Sequence, residues 1–278
     1  MINFSHSIVN FAVWNLAGFN LFDPEEGIEP DSDKAENQAK GLALLDADFV
    51  TLVEVAPITH IEWLADRLKN DYGVGYNHTI LPQPNSVLNI GFLHKPGIDV
   101  TNPRFVPDSN GTVARGRLAI GVDVKIGTSF EATVIGVHLK SGRDKPDQDL
   151  RDGQCKVIGE WLTEVREERG RGNDLLALMG DFNMIPGQDV SNFALLGGDD
   201  VMDFVSSWDL QDRFSHILKS GRENLLDGFA ISRTFSRDYV KGTLRLFPMH
   251  WTLNMGQNTF RNRVSDHLPF VASFKLFK

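Results

Sequence analysis

Cysteine is all but missing from this 278-residue chain, in which Cys155 stands alone. No disulfide can close within the chain, and neither a cysteine-built zinc cluster nor a disulfide-stapled secreted scaffold is available. Any metal must be held by oxygen or imidazole ligands. Long apolar runs are missing too: those at 48–55 and 175–179 fall far short of the roughly 20 residues that span a bilayer, so membrane insertion is not expected. Residues 1–16 lack the basic start, long apolar middle and small-residue cleavage site of a signal peptide. That reads as a cytoplasmic chain, or as a secreted or periplasmic one whose signal has been removed. There is no basic excess; 28 Lys and Arg face 37 Asp and Glu, for a net charge of −9. Such a balance opposes diffuse attraction to polyanions, although a bound divalent cation and a few local basic groups can still neutralise phosphate. Repeats, low-complexity blocks and linkers are absent, so residues 1–278 read as one domain with no obligate protein partner in evidence.

What is present is an orderly run of strands and helices. Residues 8–14 have the pattern of a buried strand and stop at Asn15. Ala35, Ala39, Leu42 and Leu45 predict a helix over 34–45, and an apolar strand over 49–53 ends on Glu54. Pro57 is placed to open a helix with Ile61, Leu64, Ala65 and Leu68 on one face. Strands are predicted over 88–94, 118–125 and 130–139, the last two as a hairpin turning at 126–129, with His138 near its end. The clearest helix covers 147–169, with Leu150, Ile158, Trp161, Leu162 and Val165 on one stripe. A strand at 175–179 runs into Gly180-Asp181-Phe182-Asn183, and strands over 228–232 and 268–274 start just after Asp227 and His267. Asn15, Glu54, His138, Asp181 and Asn183 thus follow strands, whereas Asp227 and His267 precede them. Because antiparallel neighbours run in opposite directions, all of these ends can converge on one edge of a sheet sandwich.

Those residue types together suit hydrolysis of a phosphoester, which needs charge neutralisation on phosphate, a group to orient or deprotonate water, and help for the departing oxygen. Glu54 and Asn15 are hard oxygen ligands of the kind Mg²⁺ takes, with Mn²⁺ as a substitute. Asp181 can orient or deprotonate water, and Asn183 can donate an amide hydrogen bond. His267, held by a carboxylate such as Asp227, can act as a cation or proton donor. His138, Arg115, Arg117, Lys140 and Arg143 are candidates for phosphate contact.

Trp14-Asn15, Glu54, Val137-His138-Leu139-Lys140-Ser141, Gly180-Asp181-Phe182-Asn183, Leu226-Asp227 and Ser265-Asp266-His267-Leu268-Pro269 come in that order. The series resembles the motifs of the endonuclease/exonuclease/phosphatase superfamily, which includes deoxyribonuclease I, exonuclease III, neutral sphingomyelinases and inositol polyphosphate 5-phosphatases. The resemblance implies an α/β fold, a four-layer sandwich of two mixed, mainly antiparallel sheets packed face to face with helices outside. It also implies Mg²⁺ on Asn15 and Glu54, with Asp266 near the metal or at a second metal site. Asp181 would activate water, Asn183 would contact the scissile phosphate, Asp227 would hold His267, and His138 would be a second histidine against phosphate. Leu88 stands where abasic-site endonucleases carry a tyrosine and deoxyribonuclease I a glutamate, so the likeness is to the superfamily rather than to either member.

Taken singly, these residues have plainer readings. Asn15 and the Gly180–Asn183 stretch are common turn formers, and Asp227 and Asp266 are common caps. Glu54 between two valines is harder to place without a cation or partner. Arg151 and Gln154 read as a solvated or helix-packing pair at least as readily as substrate contacts, and residues 23–33 read as a solvated acidic loop, with a second cation site as the lesser alternative. His60, His78, His94, His216 and His250 lie outside any motif and read as structural or exposed. The expected partner is a phosphoester, with nucleic acid the leading substrate. The alternatives are an inositol phosphate, sphingomyelin or other small phosphoester handled by a phosphatase or phospholipase C-type enzyme. A binding protein that has kept the fold but lost the reaction is the reading from outside the enzymes. The sequence offers no obvious apolar spike of the kind a lipid enzyme would expose near its site; residues 244–249 come nearest to one.

Overall fold

A computed structural model describes residues 8–18, 32–111, 117–128, 130–170, 172–198, 200–205, 210, 214–220 and 223–276. In chain order the described elements begin with β1 (Ile8–Asn15), α1 (Ser32–Leu45), β2 (Phe49–Val55), α2 (His60–Tyr72), β3 (Asn77–Leu81), β4 (Asn89–His94) and β5 (Ile98–Phe105). Next come β6 (Ile120–Ile126), β7 (Phe130–His138), α3 (Lys145–Arg169), β8 (Leu176–Asp181), α4 (Val190–Leu196) and β9 (Met202–Phe204). The short β10 (His216–Ile217) and β11 (Glu223–Asn224) precede β12 (Asp227–Ser232), β13 (Arg245–Leu246), α5 (Met249–Thr252), α6 (Gln257–Arg263) and β14 (Phe270–Lys275).

Two six-stranded sheets result, ordered β13-β14-β1-β2-β4-β3 and β5-β6-β7-β8-β12-β9. At the centre of each lies a parallel pair, β1 with β2 and β7 with β8, while the remaining ladders are antiparallel. Parallel neighbours need a crossover, and α1 and α3 supply the two.

Strand alternation decides what each layer buries. In β1, Val9, Phe11 and Val13 enter the core between the sheets, while Ala12 and Trp14 enter the layer that α1 and α2 cover with Leu42, Ile61 and Leu64. In β8, Ala177 and Met179 face the other sheet, while Leu176 and Leu178 meet Cys155, Ile158 and Leu162 of α3. The order of layers is therefore helix, sheet, sheet, helix. Phe11 anchors the middle, with Phe49, Phe130, Phe235 and Phe274 around it at ring separations of 5.1 to 6.5 Å.

One sequence expectation shifts, and β3 and β5 add two strands beyond those predicted. Helix α2 starts at His60, not at Pro57, which sits in a turn after a cis Ala56–Pro57 peptide. Strand β5 carries Pro103 at an irregularity between Thr101 and Arg104 on the sheet's edge, the kind of place where a residue without a backbone donor is tolerated. Strand β3 is a partly exposed edge strand, so it lacks the apolar alternation that marks β1 or β8.

Candidate active site

The alternation that fills the core continues one step past it. Phe11 and Val13 are followed on the inner face by Asn15, Ala177 and Met179 by Asp181, and Ala132 and Val134 by Gly136 and His138; Asp227 precedes Phe229 and Ile231 on the same face. Both parallel pairs end at this edge and β12 starts there, opposite Asp181 in register. The polar residues form the open end of the apolar layer.

Glu54 reaches the same point by breaking the rule. Val53 faces the core and Val55 faces α2, so an irregularity at Glu54, marked by a register shift against β4, takes that residue out of alternation. Its φ of 58° is left-handed, as are those of Ala17 (50°), Arg117 (67°) and Asn183 (51°). Such conformations cost a non-glycine residue roughly 1–3 kcal/mol each and gather at functional sites. Gly18 lies so near that a Cβ would sit 1.9 Å from the Glu54 carbonyl oxygen, so only glycine lets the two segments approach.

Asp181 is the hub. Its Oδ2 accepts from Asn15 Nδ2 at 3.1 Å and stands 3.9 Å from both His138 Nε2 and His267 Nε2, and its Oδ1 accepts from the Asn183 backbone N–H at 2.9 Å. Glu54 Oε1 accepts from Asn15 Nδ2 at 3.4 Å and lies 3.5 Å from His138 Nε2. The Asn15 oxygen accepts from Ala17 N–H at 2.9 Å, so this side chain turns its nitrogen, not its oxygen, to the two carboxylates. Asn183 Nδ2 donates to the Leu139 carbonyl at 3.0 Å. Asp227 Oδ2 meets His267 Nδ1 at 2.7 Å, while its Oδ1 is buried with no hydrogen-bond partner among the described residues.

Burial raises the pKa of Glu54, and burial together with the nearby Asp227 raises that of Asp181. Burial holds His138 well below the ordinary imidazole value, with Arg117 and His267 adding to the effect. For His267 burial works against the charged form, yet Asp227, Asp181 and Asp266 outweigh it and push the pKa up to about 10. Asp266 is raised by burial but held below the usual carboxylate range by His216, His267 and Arg261. Four carboxylates (Glu54, Asp181, Asp227 and Asp266) thus crowd one edge with His267 and Arg117 as nearby cations. That donor set, with an orphaned Asp227 oxygen in it, fits a hard divalent cation.

Hydrogen bonds from the second layer fix these ends. Trp14 Nε1 donates to the His267 carbonyl at 2.8 Å, and the Ser265 hydroxyl donates to the Asn15 carbonyl at 2.6 Å while accepting from His267 N–H at 2.9 Å. The Ser215 hydroxyl accepts from Leu226 and Asp227 N–H. Gln38 of α1 donates to the Leu16 and Val264 carbonyls, both at 2.8 Å. Arg151 of α3, fully buried, donates to the Lys140 and Gly142 carbonyls and pairs with Asp189 at 3.2 Å; Gln154 accepts from Lys140 N–H. Both are structural ties behind the site.

The basic residues fare unevenly. Arg117 donates to the Leu139 carbonyl and feels the charges of Asp181 and Glu54, which puts it at the site. Lys140 is held by Asp147 and Arg143 by Asp189, so the two expected phosphate contacts are committed to carboxylates. Arg115 lies outside the described residues, as do residues 23–31 of the expected acidic loop, whose last two positions, 32 and 33, instead open α1. Asp266 turns to His216 and Arg261, at 3.6 and 3.7 Å. Sequence reasoning missed His216 and Ser215, since neither belongs to a recognisable motif; both sit on a segment that passes between Asp227 and His267. In the apolar stretch at 244–249, Met249 is buried and Leu246 and Phe247 are half-buried, leaving Trp251 as the exposed aromatic nearby. Among the described residues, no helix is long and apolar enough to cross a membrane.

No protein-family model matches the chain, and no curated protein matches it either. Solved structures do match over nearly its full length. The endonuclease/exonuclease/phosphatase from Bacteroides vulgatus shares 13% identity at a TM-score of 0.70, covering 98% of this chain and 100% of that one. The D. rerio TDP2 complexed with single strand DNA product shares 16% at a TM-score of 0.68, covering 97% and 100%. The human Nocturnin catalytic domain with bound sulfate anion shares 16% at a TM-score of 0.69, covering 98% and 95%. The chain therefore has the four-layer α/β sandwich fold of the endonuclease/exonuclease/phosphatase proteins.

Proposed function

We propose that this chain is a divalent-metal-dependent hydrolase of phosphoester bonds, acting on a phosphodiester by in-line attack of water. The observation that carries the reading is the convergence on Asp181 Oδ2 of Asn15, His138 and His267, with Glu54 one residue away through the Asn15 amide. Glu54 would hold Mg²⁺, or Mn²⁺ in its place, with Asp266 toward the rim and Asn15 keeping Glu54 and Asp181 in position through its nitrogen. Bound there, the cation would offset the charge of the phosphoryl oxygens.

The chain's own residues account for the rest. Asp181, whose proton affinity is raised by burial and by Asp227, orients the attacking water and accepts its proton. His267, charged and steered through Nδ1 by Asp227, presents Nε2–H to a phosphoryl oxygen. His138, kept neutral by burial, and Arg117 face the same oxygens, and Asn183 has a second amide hydrogen to offer them. Proteins of this fold seen with single strand DNA product and with sulfate support a phosphate-type ligand.

A small phosphoester is the second reading, handled by a phosphatase or phospholipase C-type activity on a molecule such as an inositol phosphate or sphingomyelin. It is favoured by the commitment of Lys140 and Arg143 to carboxylates and by the net charge of −9, which leave little free basic surface for a long polyanion. Hydrolysis of bis(4-nitrophenyl) phosphate with Mg²⁺ or Mn²⁺, lost in Glu54→Ala, Asp181→Ala and His267→Ala chains that still fold, tests the reaction class. Activity retained in any of the three sinks it. Plasmid DNA, RNA, sphingomyelin and inositol phosphates as competing substrates separate the two readings.

A further inference from the structure

His216 is the side chain at the site that the hydrolytic reading leaves without a task. Its ring lies 4.6 Å from that of His267, tilted by 38°, and the two residues bridge through their backbones. Its Nε2 stands 3.6 Å from Asp266 Oδ2, and His267 Nε2 stands 4.0 Å from Asp266 Oδ1. His216 Nδ1 is buried and makes no hydrogen bond among the described residues. One ligand atom from each of His216, Asp266 and His267 falls within 4.8 Å of the others.

We propose that His216, Asp266 and His267 form a second metal site selective for a transition-metal ion, distinct from the cation site at Glu54. Two imidazoles and one carboxylate suit Zn²⁺, Co²⁺ or Mn²⁺, whereas Mg²⁺ prefers oxygen alone. Ligands bonded to one ion at about 2.0–2.1 Å stand about 3.3 Å apart in a tetrahedron; the two imidazoles face different oxygens of Asp266, and the three ligand atoms, within 4.8 Å of one another, need to close by at most about 1.5 Å. Asp227 supplies the outer partner that metal-bound histidines use: it takes the Nδ1–H of His267 and directs the Nε2 lone pair outward. A cation on Nε2 replaces the proton that Asp227, Asp181 and Asp266 otherwise hold there, so the same carboxylates favour either occupant. Arg261, 3.7 Å from Asp266 Oδ2, is the group that must yield. The site uses the nitrogen that faces the substrate in the proposed reaction, so filling it competes with catalysis, but its existence does not depend on that reaction.

The test is a Co²⁺ titration of the metal-stripped full chain in millimolar Mg²⁺, read by visible absorption and by calorimetry. The expected result is one Co²⁺ bound per chain, with affinity reduced at least about tenfold by His216→Ala and by Asp266→Asn and unchanged by Glu54→Gln. Two independent substitutions guard against a folding failure in one. The proposal is overturned if Mg²⁺ displaces all Co²⁺, or if His216→Ala and Asp266→Asn chains bind it as wild type does. A wild-type chain that binds Co²⁺ but hydrolyses no phosphoester would count against the proposed reaction and leave the second site standing.

Discussion

The two halves of the sandwich solve one problem with different chemistry. Each has a parallel pair whose crossover helix reaches back to tie down the loop behind the site. In the first half, Gln38 of α1 bridges the Leu16 and Val264 carbonyls through its nitrogen and accepts from His60 Nε2 at 2.8 Å through its oxygen, a largely neutral tie. In the second, Arg151 of α3 brings a fully buried charge to the Lys140 and Gly142 carbonyls and neutralises it on Asp189. A neutral tie, when cut, leaves bare carbonyls; a charged one leaves an uncompensated ion. The halves also differ in what they deliver. The first ends in Glu54, which suits a cation, and in Asn15, which positions it; the second ends in His138 and Asp181, which suit water and phosphate.

Cutting the charged tie should have the largest effect. Arg151→Met is expected to lower unfolding free energy by about 3 kcal/mol in urea denaturation, because the Lys140 and Gly142 carbonyls lose their buried donor and Asp189 keeps only the exposed Arg143 as an ionic partner. Adding Asp189→Leu should restore part of it; a single substitution that costs no more than a surface change would erase the contrast between the halves.

The first half carries its own titration. Burial, with Lys34 nearby, depresses the His60 pKa to about 4, below the unfolded value near 6.5. The unfolded chain therefore binds more protons between those values, so His60 contributes its stability fully above pH 6.5 and loses it as pH falls toward 4, about 3 kcal/mol in all. Stability curves of wild type and His60→Gln should diverge across that window, and parallel curves would refute the assignment. Gln38→Leu should cost the least, about 1–3 kcal/mol, with the loss independent of pH above 7.

Much of this was legible in the sequence, for a physical reason. Phe11-Ala12-Val13-Trp14-Asn15 and Ala177-Leu178-Met179-Gly180-Asp181 announce both the strand and the inward parity of its last, polar residue. The helix over 147–169 and the hairpin at 126–129 follow from equally strong periodicity, and both are present. What could not be read depends on contacts distant in sequence. Arg151 looks like a helix surface residue until loop 139–143 folds over it, and His216 gains meaning only beside His267, 51 positions away by their numbers. Lys140 and Arg143 looked available for phosphate because Asp147 and Asp189 could not be foreseen as partners. Glu54 was noticed as an uneasy carboxylate between valines, whereas the irregularity that turns it inward shows only in the ladder with β4.

The most direct test of the division of labour is a Mg²⁺ titration of bis(4-nitrophenyl) phosphate hydrolysis by Glu54→Gln and Asp181→Asn chains beside wild type. Both are expected to fall at least about 100-fold. Raising Mg²⁺ should recover part of the Glu54→Gln activity and none of the Asp181→Asn activity. Wild-type rates in either variant, or the same Mg²⁺ dependence in both, would contradict the account.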